Sequence, residues 1–126
     1  MSAMEKKRIL LVDDEKDVRE LISFRLQSYG YEVICAADGQ EALDTARKEK
    51  PDVIVLDLML PRIDGYKVCG LLKQDARYNK IPIIMFSARG QESDMALGEE
   101  IGADAYLIKT SGAEVLAAKI GELLKA

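Results

Sequence analysis

The chain has 126 residues, with 18 Lys and Arg against 22 Asp and Glu for a net charge of −4, and 48% of its residues are hydrophobic. That length predicts one domain able to build a core without staples, and the ordinary balance of apolar and charged residues excludes disorder and fibrous repeats. The acidic balance argues against direct contact with nucleic acid, and the absence of a run of roughly 20 apolar residues argues against a membrane span.

Residues 1–8 lack the apolar core of a signal peptide, so a cytoplasmic address is expected. The sequence contains no His, which excludes His-based catalysis. Cys35 and Cys69 lack metal-type spacing and read as reduced packing residues.

Residues 9–12 form a dense apolar run, expected as a strand buried on both faces. Val18, Leu21, Ile22, Leu26 and Tyr29 then draw one apolar stripe on a helix ending near Gly30, with Phe24 off the stripe. Residues 31–36 read as a second strand. Asp38 followed by Glu41 is a capping-box start for a helix through about Lys50. Residues 53–56 give a third strand, and a helix from Asp64 to about Gln74 turns Val68, Leu71 and Leu72 inward. Pro82 opens a fourth strand at 83–86.

Residues 92–101 predict a weaker helix, because it carries Gly98 and few larger apolar residues, namely Met95, Leu97 and Ile101. A fifth strand follows at 105–109. Ser111 with Glu114 suggests a second capping box before the stripe Leu116, Ile120, Leu123 and Leu124. Five such units joined by right-handed crossovers predict a doubly wound α/β domain, with the first, third and fourth strands central and helices on both faces.

In such sheets the ligand crevice lies beyond the carboxyl ends of the strands. Asp13, Asp14, Asp57, Ser87 and Lys109 all fall there. Taken singly, Asp13 or Asp14 could cap a helix, Ser87 could serve a turn and Lys109 could be a surface lysine. Asp57 resists such a reading, because an unpaired carboxylate inside the apolar stretch 53–60 is costly.

Jointly, three carboxylates within about 4 Å repel by roughly 4 kcal/mol per pair at an effective dielectric near 20. Lys109 alone is too little to neutralise them. An all-oxygen site suits Mg²⁺, which takes one or two carboxylates and fills its remaining positions with water and phosphate oxygens. An ionised carboxylate can itself attack phosphorus to form an acyl phosphate. The cations and the Ser87 hydroxyl would then stabilise the transferring oxygens.

The segments "ILLVDDE", "VIVLDLMLPRIDGY", "IPIIMFSA" and "GADAYLIK", in that order and spacing, resemble the receiver domains of bacterial two-component response regulators. The resemblance covers nearly the whole chain. It implies a flavodoxin-like, CheY-like (βα)5 fold with a five-stranded parallel sheet in the order 2-1-3-4-5, forming one receiver domain over residues 1–126 with its core at about 8–125.

The same resemblance implies Asp57 as phosphoacceptor, and Asp13, Asp14, Asp57 and the Met59 backbone carbonyl as ligands of Mg²⁺. Lys109 and Ser87 would contact the phosphoryl group. Its implied partners are a sensor histidine kinase or histidine phosphotransfer protein as donor, and a downstream protein target. The domain would catalyse only its own phosphorylation and dephosphorylation. On phosphorylation Ser87 would move and Tyr106 would turn inward, altering the surface of the fourth helix, fifth strand and fifth helix. Without the resemblance, Tyr106 is an ordinary half-buried strand aromatic.

Two positions depart from the family pattern. Thr110 stands where receivers usually have Pro, and because a non-proline cis bond costs about 3 to 4 kcal/mol, a trans Lys109–Thr110 bond and an altered loop are expected. Ile63 replaces the commoner Met before Asp-Gly, which keeps an apolar side chain. Met59 and Arg89 occupy the positions that flank the attacking water in receivers. Neither can orient it as an acid or carboxamide would, so self-dephosphorylation on the order of minutes or longer is expected.

A haloacid-dehalogenase-type phosphohydrolase would need a second Asp where Met59 stands, and a cap domain. A flavodoxin-like electron carrier would find its phosphate repelled by "VDDEKD". A receiver-like adaptor that no longer takes phosphate is kept open by Thr110.

Overall fold

The computed structural model describes residues 6–125. Five parallel strands alternate with five helices: β1 (Arg8–Val12), α1 (Lys16–Ser28), β2 (Glu32–Ala36), α2 (Gly39–Glu49), β3 (Val53–Leu56), α3 (Gly65–Lys73), β4 (Ile83–Ser87), α4 (Glu92–Ile101), β5 (Ala105–Ile108) and α5 (Gly112–Lys125). The strand order is β2-β1-β3-β4-β5, which makes β1, β3 and β4 the interior strands.

Side-chain alternation along these strands divides the core in two. Ile9, Leu11, Val53, Val55, Ile84 and Phe86 pack with Ile22 and Leu26 of α1 and Leu116 and Ile120 of α5. On the opposite face, Leu10, Val12, Ile54, Leu56, Ile83 and Met85 pack with α2 and α3. A sheet covered on both sides explains why these strands read as unbroken apolar runs rather than alternating ones.

Several local expectations change in the structure. Leu21 and Leu71 are exposed, because in α1 the i, i+4 row through Ile22 and Leu26 meets the sheet, and in α3 the row through Val68 and Leu72 does so. Cys69 is buried as expected, but Cys35 is exposed on edge strand β2, so it is not a packing residue. Lys109 does not extend β5; it opens a short 3₁₀ turn at Lys109–Ser111.

That turn, followed by Gly112 at φ +91°, takes Ser111 out of the N-cap geometry, and the Ser111–Glu114 capping box does not form. The first cap does form, with its return bond shifted by one residue. Asp38 Oδ1 accepts from the Glu41 amide at 2.8 Å, while Glu41 Oε1 accepts from the Ala37 amide at 2.6 Å. Among the described residues no peptide bond is cis, so Lys109–Thr110 is trans.

Candidate functional site

Parallel register assembles the acidic site. Val12 of β1 lies opposite Leu56 of β3, so the next residues, Asp13 and Asp57, emerge side by side. Their backbones continue the ladder by one step: the Asp57 amide donates to the Val12 carbonyl at 3.0 Å, and the Asp13 amide donates to the Ala36 carbonyl at 3.1 Å. Both side chains are buried, whereas Asp14 is exposed.

The neighbouring loops fix these two carboxylates. Asp13 Oδ1 accepts from the Glu15 amide at 2.9 Å, and Arg19 of α1 donates to the Asp13 carbonyl at 2.7 Å. Neither Asp13 nor Asp14 is the N-cap of α1, which is Glu15. Asp57 Oδ1 accepts from the Met59 amide at 3.3 Å. Beneath the loop, α3 starts at Gly65, where an added Cβ would collide with the Asp57 carbonyl oxygen. Glycine is required there because the helix N-terminus lies directly on the backbone of the site.

Lys109 enters from the end of β5, two strands from β3 in the same sheet. Its Nζ lies 2.6 Å from Asp13 Oδ2 and 2.9 Å from Asp57 Oδ2, bridging the two carboxylates. Burial alone would lower the Lys109 pKa, but these two hydrogen bonds outweigh it and leave the ammonium above its ordinary value. Burial raises the Asp57 pKa above its ordinary value, opposed by Lys109 and reinforced by Asp13.

One carboxylate oxygen from each of Asp13, Asp14 and Asp57 falls within 4.8 Å of the others. Three hard oxygen donors against one ammonium leave uncompensated negative charge. That donor chemistry fits a hard divalent cation such as Mg²⁺ and not a soft metal.

Ser87 ends β4 fully buried, and its Oγ accepts from the Arg89 amide at 3.3 Å. Tyr106 lies opposite Met85, two residues before Ser87, so Ser87 and Tyr106 share the face covered by α4. The Tyr106 ring is half-buried over Gly98, and its hydroxyl donates to the Arg89 carbonyl at 2.6 Å. Met59 is exposed at the rim, with Arg89 Nη1 at 3.8 Å from its Sδ.

The expected positions 13, 14, 57 and 109 thus converge, while 87, 89 and 106 form an adjoining cluster beside α4. Sequence reasoning passed over Asp94 and Tyr66. Asp94 is buried in the first turn of α4 and paired with Arg89, and the Tyr66 hydroxyl donates to its carbonyl at 2.9 Å. The available signal was the i, i+4, i+7 row Asp94, Gly98, Ile101, which must face inward but has only one large apolar member.

Comparison with known proteins identifies the family. The family model "Response regulator receiver domain" matches residues 9–121. The chain belongs to that family. This receiver domain is 43% identical over 122 residues to a protein named probable transcriptional regulator ycf27 of Porphyridium aerugineum, covering 97% of this chain and 50% of that protein. It is 44% identical over 119 residues to the alkaline phosphatase synthesis transcriptional regulatory protein PhoP of Bacillus subtilis, covering 94% of this chain and 49% of that one. The chain therefore spans about half the length of these relatives.

Among solved structures, a putative response regulator from Chloroflexus aurantiacus superposes with a TM-score of 0.92 at 36% identity, covering 97% of this chain and 100% of that one. The receiver is a signalling domain of two-component systems. Among the described residues, no helix is long and apolar enough to cross a membrane.

Proposed function

We propose that this receiver accepts a phosphoryl group on Asp57 from a phosphohistidine, carried by a sensor histidine kinase or a histidine phosphotransfer protein. The observation that carries the reading is the single Lys109 ammonium shared by two buried carboxylates, with Asp14 completing an oxygen cluster beside them. Asp13, Asp14, Asp57 and the Met59 carbonyl would hold Mg²⁺. When bound, the ion supplies positive charge that screens the carboxylates from the incoming phosphoryl oxygens.

In the transfer, an Asp57 carboxylate oxygen bonds to phosphorus as the P–N bond breaks. The bonding pair leaves with the donor imidazole, which takes up a proton. Lys109 exchanges its contact with Asp57 for a phosphoryl oxygen, and the Ser87 hydroxyl donates to another. Ser87 then leaves the Arg89 amide, and Tyr106 turns inward. The face of α4, β5 and α5 changes, and a downstream protein target in the cytoplasm reads it. Met59 and Arg89 orient no water, so the acyl phosphate decays slowly.

The test is intact mass after incubation with Mg²⁺ and a small acyl phosphate, comparing the parent with Asp57→Ala. A single phosphoryl adduct that needs both Mg²⁺ and Asp57, and persists on the order of minutes, is expected. No adduct in folded parent protein would favour the phosphate-independent adaptor, and loss within seconds would overturn the slow decay.

A further inference from the structure

The buried residues of α4 are Asp94 and Gly98, where a sheet-packing helix ordinarily buries large apolar side chains. The Asp94 side chain is 7% exposed, and its Oδ1 lies 3.2 Å from Arg89 Nη2. Its Oδ2 is buried and has no hydrogen-bond partner among the described residues. Such a half-satisfied carboxylate is held by one cation, and its burial is costly once that cation leaves. The N-cap of α4, Gln91, makes no side-chain capping bond. The first turn is thus fastened to the body by the Arg89–Asp94 pair and by the Tyr66 hydroxyl on the Asp94 carbonyl.

Arg89 connects this turn to the phosphorylation pocket. Its amide bonds Ser87 Oγ, its carbonyl receives the Tyr106 hydroxyl, and its guanidinium touches both Asp94 and Met59. It lines a cavity of about 450 Å³ together with Asp14, Met59 and Tyr66. A guanidinium so placed pairs with Asp94 in the resting protein and could pair instead with a phosphoryl group on Asp57. The phosphoryl group offers more charge and more acceptor oxygens, arranged for a planar fork.

We propose that Asp94 is a positioning residue that holds Arg89 away from Asp57 in the resting protein. Transfer of the guanidinium from Asp94 to the phosphoryl group then releases the first turn of α4. This rests on the reading of Asp57 as phosphoacceptor and adds a route to α4 that does not pass through Ser87 and Tyr106. Because two anions compete for one cation, the coupling is reciprocal: weakening the grip of Asp94 strengthens the hold on the phosphoryl group.

The test is calorimetric titration with beryllofluoride in the presence of Mg²⁺, using beryllofluoride to stand for the phosphoryl group on Asp57. The proteins compared are the parent, Asp57→Ala, Asp94→Asn, Arg89→Ala and the Arg89→Ala/Asp94→Asn double variant. Asp94→Asn is expected to bind about tenfold more tightly than the parent. Arg89→Ala is expected to bind more weakly, and the double variant to match Arg89→Ala within about twofold, because Asp94 acts through Arg89. A merely structural Asp94 would shift the melting temperature and leave the affinity alone.

Equal affinity of the parent and Asp94→Asn, or tightening that survives in the double variant, overturns the proposal. Arg89 is 52% exposed and carries the test alone if Asp94→Asn does not fold. In Arg89→Ala, amide exchange at residues 94–98 should already be fast without beryllofluoride and rise no further with it. Parental protection there overturns the proposal. If the parent binds no beryllofluoride, or Asp57→Ala binds it equally, the phosphoacceptor reading fails and takes this proposal with it. Binding that needs Asp57 but ignores Asp94 defeats the proposal alone.

Discussion

Strands β3 and β5 belong to one sheet but are built differently. All four residues of β3 are 0% exposed, and its neighbours β1 and β4 are comparably buried. All four residues of β5 are partly exposed. The helices follow the same contrast: α3 buries Val68, Cys69 and Leu72, whereas α4 buries Asp94 and Gly98. The acidic residues extend from the well-packed half, and Tyr106, Arg89 and Asp94 lie in the sparsely packed half. Chemistry needs its carboxylates and ammonium held in place, while a conformational response draws on elements with few apolar contacts. This chain places the two side by side, joined through Lys109 and the loop from Ser87 to Gln91.

The sharpest way to break this contrast is by truncation. Leu56→Ala in β3 should cost about 2–5 kcal/mol, because it opens a cavity where no side chain can collapse inward. Leu97→Ala on the exposed side of α4 should stay within about 0.5 kcal/mol of the parent. Urea denaturation midpoints at unchanged slope measure both. Similar losses at the two sites would erase the distinction.

A smaller effect concerns the site itself. Burial raises the pKa of Asp57 in the folded protein, so the folded state binds a proton there more readily than the unfolded state does. The cost of the carboxylate is therefore present above the folded pKa and disappears as pH falls through it. In metal-free buffer, Asp57→Asn should stabilise the protein by ~1 kcal/mol at neutral pH. That gain should shrink as the pH falls into the carboxylate range. A loss of stability at neutral pH would mean that the Lys109 contact outweighs burial.

Much of this arrangement was legible in the sequence, for a physical reason. Runs such as 9–12 and 53–56 are short and rich in Ile, Leu and Val, as doubly covered strands are, and parallel crossovers bring their carboxyl ends to one edge. Asp13, Asp57 and Lys109 could therefore be placed together before any coordinates. Periodicity was less informative about helix faces. It grouped Leu21 with Ile22 and Leu71 with Leu72, although only the second residue of each pair meets the sheet. Ser111 was misread because the 3₁₀ turn and the positive φ at Gly112 depend on how the chain leaves β5. Asp94 escaped because an acidic residue in a first helical turn ordinarily marks solvent and a favourable dipole. Its burial goes with the Arg89 pair, made by a residue five positions earlier in the loop that leads into α4.

The most direct measurement is amide hydrogen exchange of the protein before and after phosphorylation with Mg²⁺ and a small acyl phosphate. The account predicts that changes concentrate in residues 88–108, across the loop after β4, α4 and β5, while β1 and β3 keep their protection. Changes spread evenly over the sheet, or confined to α1 and α2, would contradict it.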